Sequence, residues 1–206
     1  MINPCLRWHY LLIALIVSGC SSLYKPIDQI SSVPTNQISN PGPPEFWQVQ
    51  SRLSVRHDQE AWSGSLRWQH LPAGDEIAIR DPIGRTRLRA SSLAEHNDLP
   101  AAGATLEIAG QPIRHGDTIQ GLLNSVSELH LPFEQFANWL TATPDAMSQT
   151  KINLENGLIE QITDQGWTVV YQKYRQHGNR QLPRKIHISN HETEIRMVIS
   201  KWQLTL

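Results

Sequence analysis

The thiols, imidazoles, hydroxyls and carboxylates of this chain are arranged in a way that argues against catalysis. Cys5 and Cys20 are its two cysteines, and everything after residue 20 is free of thiols. That leaves no disulfide framework and no later cysteine for nucleophilic work. Eight histidines follow residue 20: His57, His70, His96, His115, His130, His177, His187 and His191. They are scattered, and only His187 and His191 stand four apart. These two flank an expected strand end and turn, so their rings need not converge on a metal. No serine sits in a Gly-x-Ser-x-Gly elbow, no acidic run resembles a calcium loop, and no Gly-rich phosphate loop is present. Asp58 and Glu60 fall in an expected hairpin turn, and Asp75-Glu76 opens an expected strand. A triad assembled across the fold stays open, but no cofactor and no metal are expected.

Aromatic and turn residues carry more. Trp47, Trp62, Trp68, Trp139, Trp167 and Trp202 all follow residue 20. They either fill a core, as large aromatics usually do, or line an apolar cavity able to hold an apolar ligand. Asp81-Pro82-Ile83-Gly84-Arg85-Thr86 reads as a tight turn between two strands with one aliphatic side chain at its tip. Ile83 either folds back onto the sheet or marks an apolar neighbour. Arg85, Arg87 and Arg89 alternate with Leu88 onto one face. That face is either simply solvated or attracted to anionic lipid head groups, at about 1 kcal/mol per basic residue.

The elements that must position these residues begin with an address. Arg7 precedes the apolar stretch Tyr10 to Val17, and Val17-Ser18-Gly19-Cys20 follows. A charged start, a short apolar stretch and small residues mark a secretory signal. A cysteine directly after Ser-Gly resembles the lipobox of bacterial lipoproteins, where the thiol is alkylated with diacylglycerol, the chain is cut before it and the new amino terminus is acylated. The alternative is an ordinary secretory signal ending near a cysteine. Residues 1–19 are thus expected to be removed and Cys20 lipidated, with Ser21 favouring the outer membrane by resemblance to lipoprotein sorting rules. Residues 20–45 contain Pro26, Pro34, Pro41, Pro43 and Pro44 among several serines and read as a flexible tether. Residues 46–206 are left as one domain.

That domain reads as α+β. Apolar residues alternate at Trp47, Val49, Leu53 and Val55, and again at Trp62, Leu66 and Trp68. The alternation continues through Ile77 and Ile79, Leu88 and Ala90, Leu106 and Ile108, Ile152 and Leu154, and Leu158 and Ile162. It closes with Trp167, Val169 and Tyr171, then Ile186 and Ile188, then Ile195, Met197 and Ile199. Asn156-Gly157 and Asn190-His191 are expected turns. About ten or eleven mostly antiparallel strands result. Between them, Asp117 is expected to cap one helix (Ile119, Leu122, Leu123, Val126), and Pro132 to begin another (Phe133, Phe136, Trp139, Leu140). A sheet this long must curl or be covered, so the helices are expected against its concave side.

Composition agrees. The chain has 206 residues, with 18 Lys and Arg against 19 Asp and Glu, for a net charge of −1. Near-neutral charge argues against a nucleic-acid partner. No apolar run reaches the ~18 residues of a membrane-spanning helix.

In order and spacing, these residues resemble the LolB family of outer-membrane lipoprotein receptors. The matching pieces are Arg52-Leu53-Ser54-Val55, Trp62-Ser63-Gly64, Trp68-Gln69, Asp81-Pro82-Ile83-Gly84, Leu131-Pro132, Trp139-Leu140 with Pro144, Gln165-Gly166-Trp167-Thr168-Val169, Leu182-Pro183-Arg184-Lys185-Ile186 and Trp202-Gln203-Leu204. The resemblance implies an unclosed antiparallel β-barrel of about 11 strands with helices plugging its concave face, LolA/LolB-like. It implies a monomer anchored through Cys20 on the periplasmic face of the outer membrane. This monomer accepts lipoprotein cargo from the periplasmic carrier LolA and passes it to outer-membrane phospholipid. Acyl chains would occupy a cavity lined by Trp62, Leu66, Trp68, Trp139, Trp167, Tyr171 and Trp202. Pro82, Ile83 and Gly84 would form the membrane-delivery loop, with Ile83 in place of the family's usual Leu. Glu128 and Ala142 stand where the family's helical segment carries Gly. Two other classes stay open: a static lipoprotein holding a small apolar ligand, and an enzyme acting on envelope lipid or glycan.

Overall fold

The computed structural model describes residues 42–92, 103–126, 131–153 and 155–204. Cys20, the signal and tether up to residue 41, and His96, Glu128, His130 and Leu154 lie outside the described residues.

Two-residue periodicity becomes strands wherever one face can be buried. Six come first: β1 (Trp47–His57), β2 (Glu60–Leu71), β3 (Gly74–Arg80), β4 (Thr86–Ser91), β5 (Ala104–Ile108) and β6 (Arg114–Gly116). Helices α1 (Ile119–Asn124) and α2 (Phe133–Leu140) follow. Then come β7 (Gln149–Ile152), β8 (Ile159–Asp164), β9 (Trp167–His177), β10 (Arg180–Ser189) and β11 (Thr193–Gln203). In β1 the side chains of Trp47, Val49, Leu53 and Val55 are buried while Arg52, Ser54 and Arg56 face water. β11 repeats the pattern with Ile195, Met197 and Ile199.

All eleven strands form one antiparallel sheet in the order β6-β5-β4-β3-β2-β1-β11-β10-β9-β8-β7. The first and last strands pair at its centre, Leu53 opposite Met197 and Val55 opposite Ile195. Two meanders therefore spread as wings from a shared seam. The outermost strands, β6 and β7, do not pair with each other, so the barrel is unclosed. Both helices lie between β6 and β7 in the chain, and their buried side chains join the same core as the inner face of the sheet. The apolar face of an open sheet would otherwise stay wet.

The helix caps differ in detail from expectation. Thr118, not Asp117, caps α1: its backbone is extended (φ −141°), and its Oγ1 accepts a hydrogen bond from the Gly121 N–H at 3.0 Å. The helix begins at Ile119, so the residue just before it has the right reach. Pro132 stands at the cap of α2, one position before the first helical turn, and the Phe133 N–H is met instead by Gln120 Oε1. Past α2, Ala142 adopts φ 53°, a left-handed conformation that favours glycine, while its buried methyl joins the core.

Gly64 is fixed by a close approach. A Cβ there would lie 2.3 Å from the carbonyl oxygen of Arg80. Only glycine lets the end of β3 pass so near β2, and the residues after Arg80 form the turn that carries Ile83.

Candidate functional site

The register of the sheet collects one set of turns on a single rim. His57 pairs with Glu60, Ser189 with Glu194, and Asp164 with Trp167. The Asp58 N–H donates to the Glu192 carbonyl at 3.1 Å. The β3–β4 turn and the β5–β6 turn belong to this rim, whereas β1 starts and β11 ends at the opposite one.

A cavity of about 270 Å³ opens in the β1–β6 wing. Its floor is Leu53, Leu66, Trp68, Ile77 and Met197, and its sides are Ile79, Leu88 and Ile108. Leu123 and Val126 from α1 and the turn after it, with Phe133 and Phe136 of α2, form the roof. Asn124 is the only polar side chain on its wall among the described residues. The floor is buried, but Ile79, Leu88 and Ile108 are half-buried and Trp62 is 43% exposed. These wetter residues stand at the strand ends nearest the turn rim, so the cavity opens toward that rim.

Of the seven aromatic and aliphatic residues expected along a cavity, Trp62, Leu66 and Trp68 lie on this wall. Trp139, Trp167, Tyr171 and Trp202 do not; they are packed solidly elsewhere. Trp139 meets Trp167 at 5.9 Å between ring centroids, and the Tyr171 hydroxyl donates to the Trp139 carbonyl at 2.8 Å. Trp202 Nε1 donates to the Pro183 carbonyl at 2.9 Å. Sequence reasoning singled out tryptophans and missed the aliphatic sides, Ile79, Leu88 and Ile108, and the α1 contribution. The signal was there in the alternation of β3 to β5 facing a helix of only six residues.

The turn beside the mouth is built by Asp81. Its Oδ1 accepts from the backbone N–H groups of Ile83 (3.1 Å) and Arg85 (2.9 Å), and its Oδ2 from Arg85 Nε (2.8 Å). The Gly84 N–H closes the turn onto the Asp81 carbonyl at 2.9 Å, and Gly84 sits at φ 89°, open to glycine and strained for other residues. Desolvation pushes the Asp81 carboxyl up, but the Arg85 side-chain bond, the Arg85 backbone bond, the Arg85 charge and the Ile83 backbone bond together outweigh it. The group is held below its ordinary 3.8. The result is a stiff loop presenting Ile83 at 75% exposure. Ile83 does not fold back onto the sheet.

The three arginines of the turn and β4 part company. Arg85 is engaged by Asp81. Arg87 and Arg89 lie exposed on the outer face of β4, with Arg89 across from Glu107. His187 and His191 turn to separate carboxylates, Glu194 at 2.9 Å and Glu192 at 3.1 Å. Among the described residues, no group of three or more His, Cys, Asp or Glu is placed to hold a metal, and no helix is long and apolar enough to cross a membrane.

The described residues thus form an unclosed antiparallel barrel whose helix-roofed apolar cavity opens beside a protruding aliphatic tip. Two solved structures share the fold. One is a putative outer membrane lipoprotein-sorting protein domain from Vibrio parahaemolyticus (TM-score 0.50, 10% identity, 78% of this chain and 85% of that one). The other is a DUF1329 family protein from Desulfovibrio piger (TM-score 0.52, 7% identity, 83% and 89%). The family model described as "Outer membrane lipoprotein LolB" matches residues 45–202. Outer-membrane lipoprotein LolB of Thiobacillus denitrificans is 30% identical over 93% of this chain and 94% of its own. That of Cellvibrio japonicus is 32% identical over 77% of each. The chain belongs to the LolB family of outer-membrane lipoproteins, which supports a role in lipoprotein localisation.

Proposed function

We propose that this protein is an outer-membrane-anchored receptor that takes lipoproteins from the periplasmic carrier LolA and inserts them into the inner leaflet of the outer membrane. In this reading residues 1–19 are removed, Cys20 carries the acyl anchor, residues 20–45 tether, and residues 46–206 receive the cargo. The observation that carries it is the shared rim: the apolar cavity opens on the side of the sheet where the stiff Asp81–Arg85 turn holds Ile83 out in water.

Three acyl chains expose roughly 40 CH₂ groups, so crossing water bare would cost on the order of 30 kcal/mol. The cavity covers them instead. At about 270 Å³ it sits below the ~300–1,000 Å³ of ordinary small-ligand pockets. Admitting more than part of one chain therefore requires α1 to move off the β3–β5 strands. No nucleotide motif is present, so the handover runs downhill in affinity, at ~1.4 kcal/mol for each tenfold preference. Ile83 then enters the leaflet and gives the chains a continuous apolar path. The tether joins β1 at the rim opposite Ile83, and the register sets Arg80, where the Ile83 turn begins, level with Arg52, about 17 Å along that strand. Its 26 residues, extended, span up to roughly 85 Å, enough to let the Ile83 rim face the same membrane.

The test is transfer of a labelled lipoprotein from carrier to liposomes with the wild-type protein and with Ile83→Glu. Uptake from the carrier is expected to persist in the variant while insertion fails. Normal insertion by Ile83→Glu removes the delivery role. Absence of uptake by the wild type, with a small apolar ligand bound instead, returns the protein to a static binder.

A further inference from the structure

Ile83 is not alone on its rim. Ile113, at the end of the β5–β6 turn, is 57% exposed and follows Pro112. That turn leans on β4 through the Ala109 N–H bond to the Arg87 carbonyl (3.0 Å), and Gly110 bends it at φ 82°. The β3–β4 and β5–β6 turns lie two strand spacings apart in the sheet order, about 10 Å. Around them stand exposed arginines: Arg80 at the end of β3, Arg87 and Arg89 on β4 and Arg114 directly after Ile113. Against these stand Asp81, already taken by Arg85, and Glu107, across from Arg89.

The far wing provides a contrast. Met147 is 90% exposed just before β7, whose first residue pairs with Thr163 near the same rim. There the turns carry Asp145, Asp164 and Glu192 and no arginine. Exposed apolar tips occur on both wings; among the described residues the β3–β6 tips are set among several exposed arginines, whereas Met147 has the single exposed Lys151 of β7 close by in the chain.

We infer that the β3–β6 segment of the rim is a two-point footing on an anionic phospholipid surface, with Ile113 as a second anchor beside Ile83. This rests on the delivery reading above and goes beyond it. One inserted side chain leaves the domain free to swivel about that point, whereas two anchors joined through β4 and β5 fix the mouth of the cavity toward the bilayer. The arginines supply the attraction and the isoleucines the depth. A carrier protein is the competing occupant of this surface.

The experiment uses residues 20–206, acylated at Cys20 and reconstituted in phosphatidylcholine vesicles with or without phosphatidylglycerol. Ile83→Cys, Ile113→Cys and Met147→Cys each receive one environment-sensitive fluorophore, and brominated lipids report depth. Quenching is expected at positions 83 and 113 in anionic vesicles, weaker in phosphatidylcholine alone and at high salt, and absent at 147. Ile113→Glu is expected to lower cargo insertion about tenfold while leaving uptake from the carrier unchanged. Quenching at 83 without quenching at 113, equal quenching at 113 and 147, or shielding of 113 by the carrier and not by lipid each overturn the footing. If 113 is quenched but the wild-type protein moves no cargo, the footing stands and the transfer function fails.

Discussion

The two wings of the sheet are made from the same kind of strand and end up with different interiors. On the β8–β10 side, α2 lies directly against the inner face. Trp139 meets Trp167, the Tyr171 hydroxyl reaches back to the Trp139 carbonyl, and Ile162, Val169 and Ile188 are fully buried. Burial, with the Tyr174 charge adding to it, drives the Tyr171 phenol well above its ordinary 10.0. On the β2–β5 side the facing helix is α1, six residues long, and the strand side chains opposite it are aliphatics of modest size. They leave a hollow. The aromatic stack of Trp68 on Phe133, at 4.6 Å, marks the boundary where filling stops. A curled sheet thus becomes a container by withholding bulk from one wing while the other secures the fold.

The largest effect that tests this division is Trp139→Ala. In the solid wing it deletes a ring that is 1% exposed and touches both Trp167 and Phe136. Its expected cost is about 3–5 kcal/mol in urea unfolding. A loss under 1 kcal/mol would mean that the wing is not solid.

Enlargement sharpens the comparison, because it should have opposite consequences on the two sides. Val169→Phe places a ring where no space exists and is expected to cost about 1–3 kcal/mol. Leu123→Phe projects the same ring into the cavity and is expected to change stability by less than about 1 kcal/mol, while apolar-probe fluorescence in the cavity falls about tenfold. Equal costs at the two positions would erase the distinction between hollow and solid, and undiminished probe binding would move the binding site elsewhere.

Much of the fold was legible in the residue order, and the gaps have physical causes. Period-two alternation located nearly all strands, because each inner face had to be buried and each outer face wetted. β6, with only three residues, offered too short a pattern to count. The Pro82-Ile83-Gly84 tip could be read because Asp, Pro and Gly each impose a local geometry that needs no partner. The cap of α1 was misplaced by one residue because Asp117 and Thr118 are both good caps, and only the helix start decides between them. Which tryptophans border empty space was beyond sequence. Trp68 on β2 and Trp167 on β9 share the same period-two strand context, and they differ in what the helices bring opposite them. Gly64 in Trp62-Ser63-Gly64 shows the same limit: its need for glycine comes from the Arg80 carbonyl, sixteen residues later.

The smallest expected effect concerns the stiffness of the tip at the edge of the hollow wing. Asp81 is held below its ordinary 3.8 because the bonds from Arg85 and Ile83 outweigh desolvation. A carboxyl with a depressed folded value stabilises its structure fully above the unfolded value and loses that contribution as pH falls through the folded one. The Asp81–Arg85 turn is therefore expected to stay ordered from neutrality down to about pH 4, then loosen at lower pH while the solid wing keeps its packing. Amide NMR reads both at once. The Ile83 and Arg85 amides, which donate to Asp81, should shift and lose protection as acid is added, with Val169 and Ile188 unchanged over the same range. Asp81→Asn should show the loosened spectrum already at neutral pH, since the amide oxygen keeps an acceptor but carries no charge for Arg85. If the Ile83 amide is indifferent both to acid and to this substitution, Pro82 and Gly84 alone set the turn, and its rigidity owes nothing to the carboxylate.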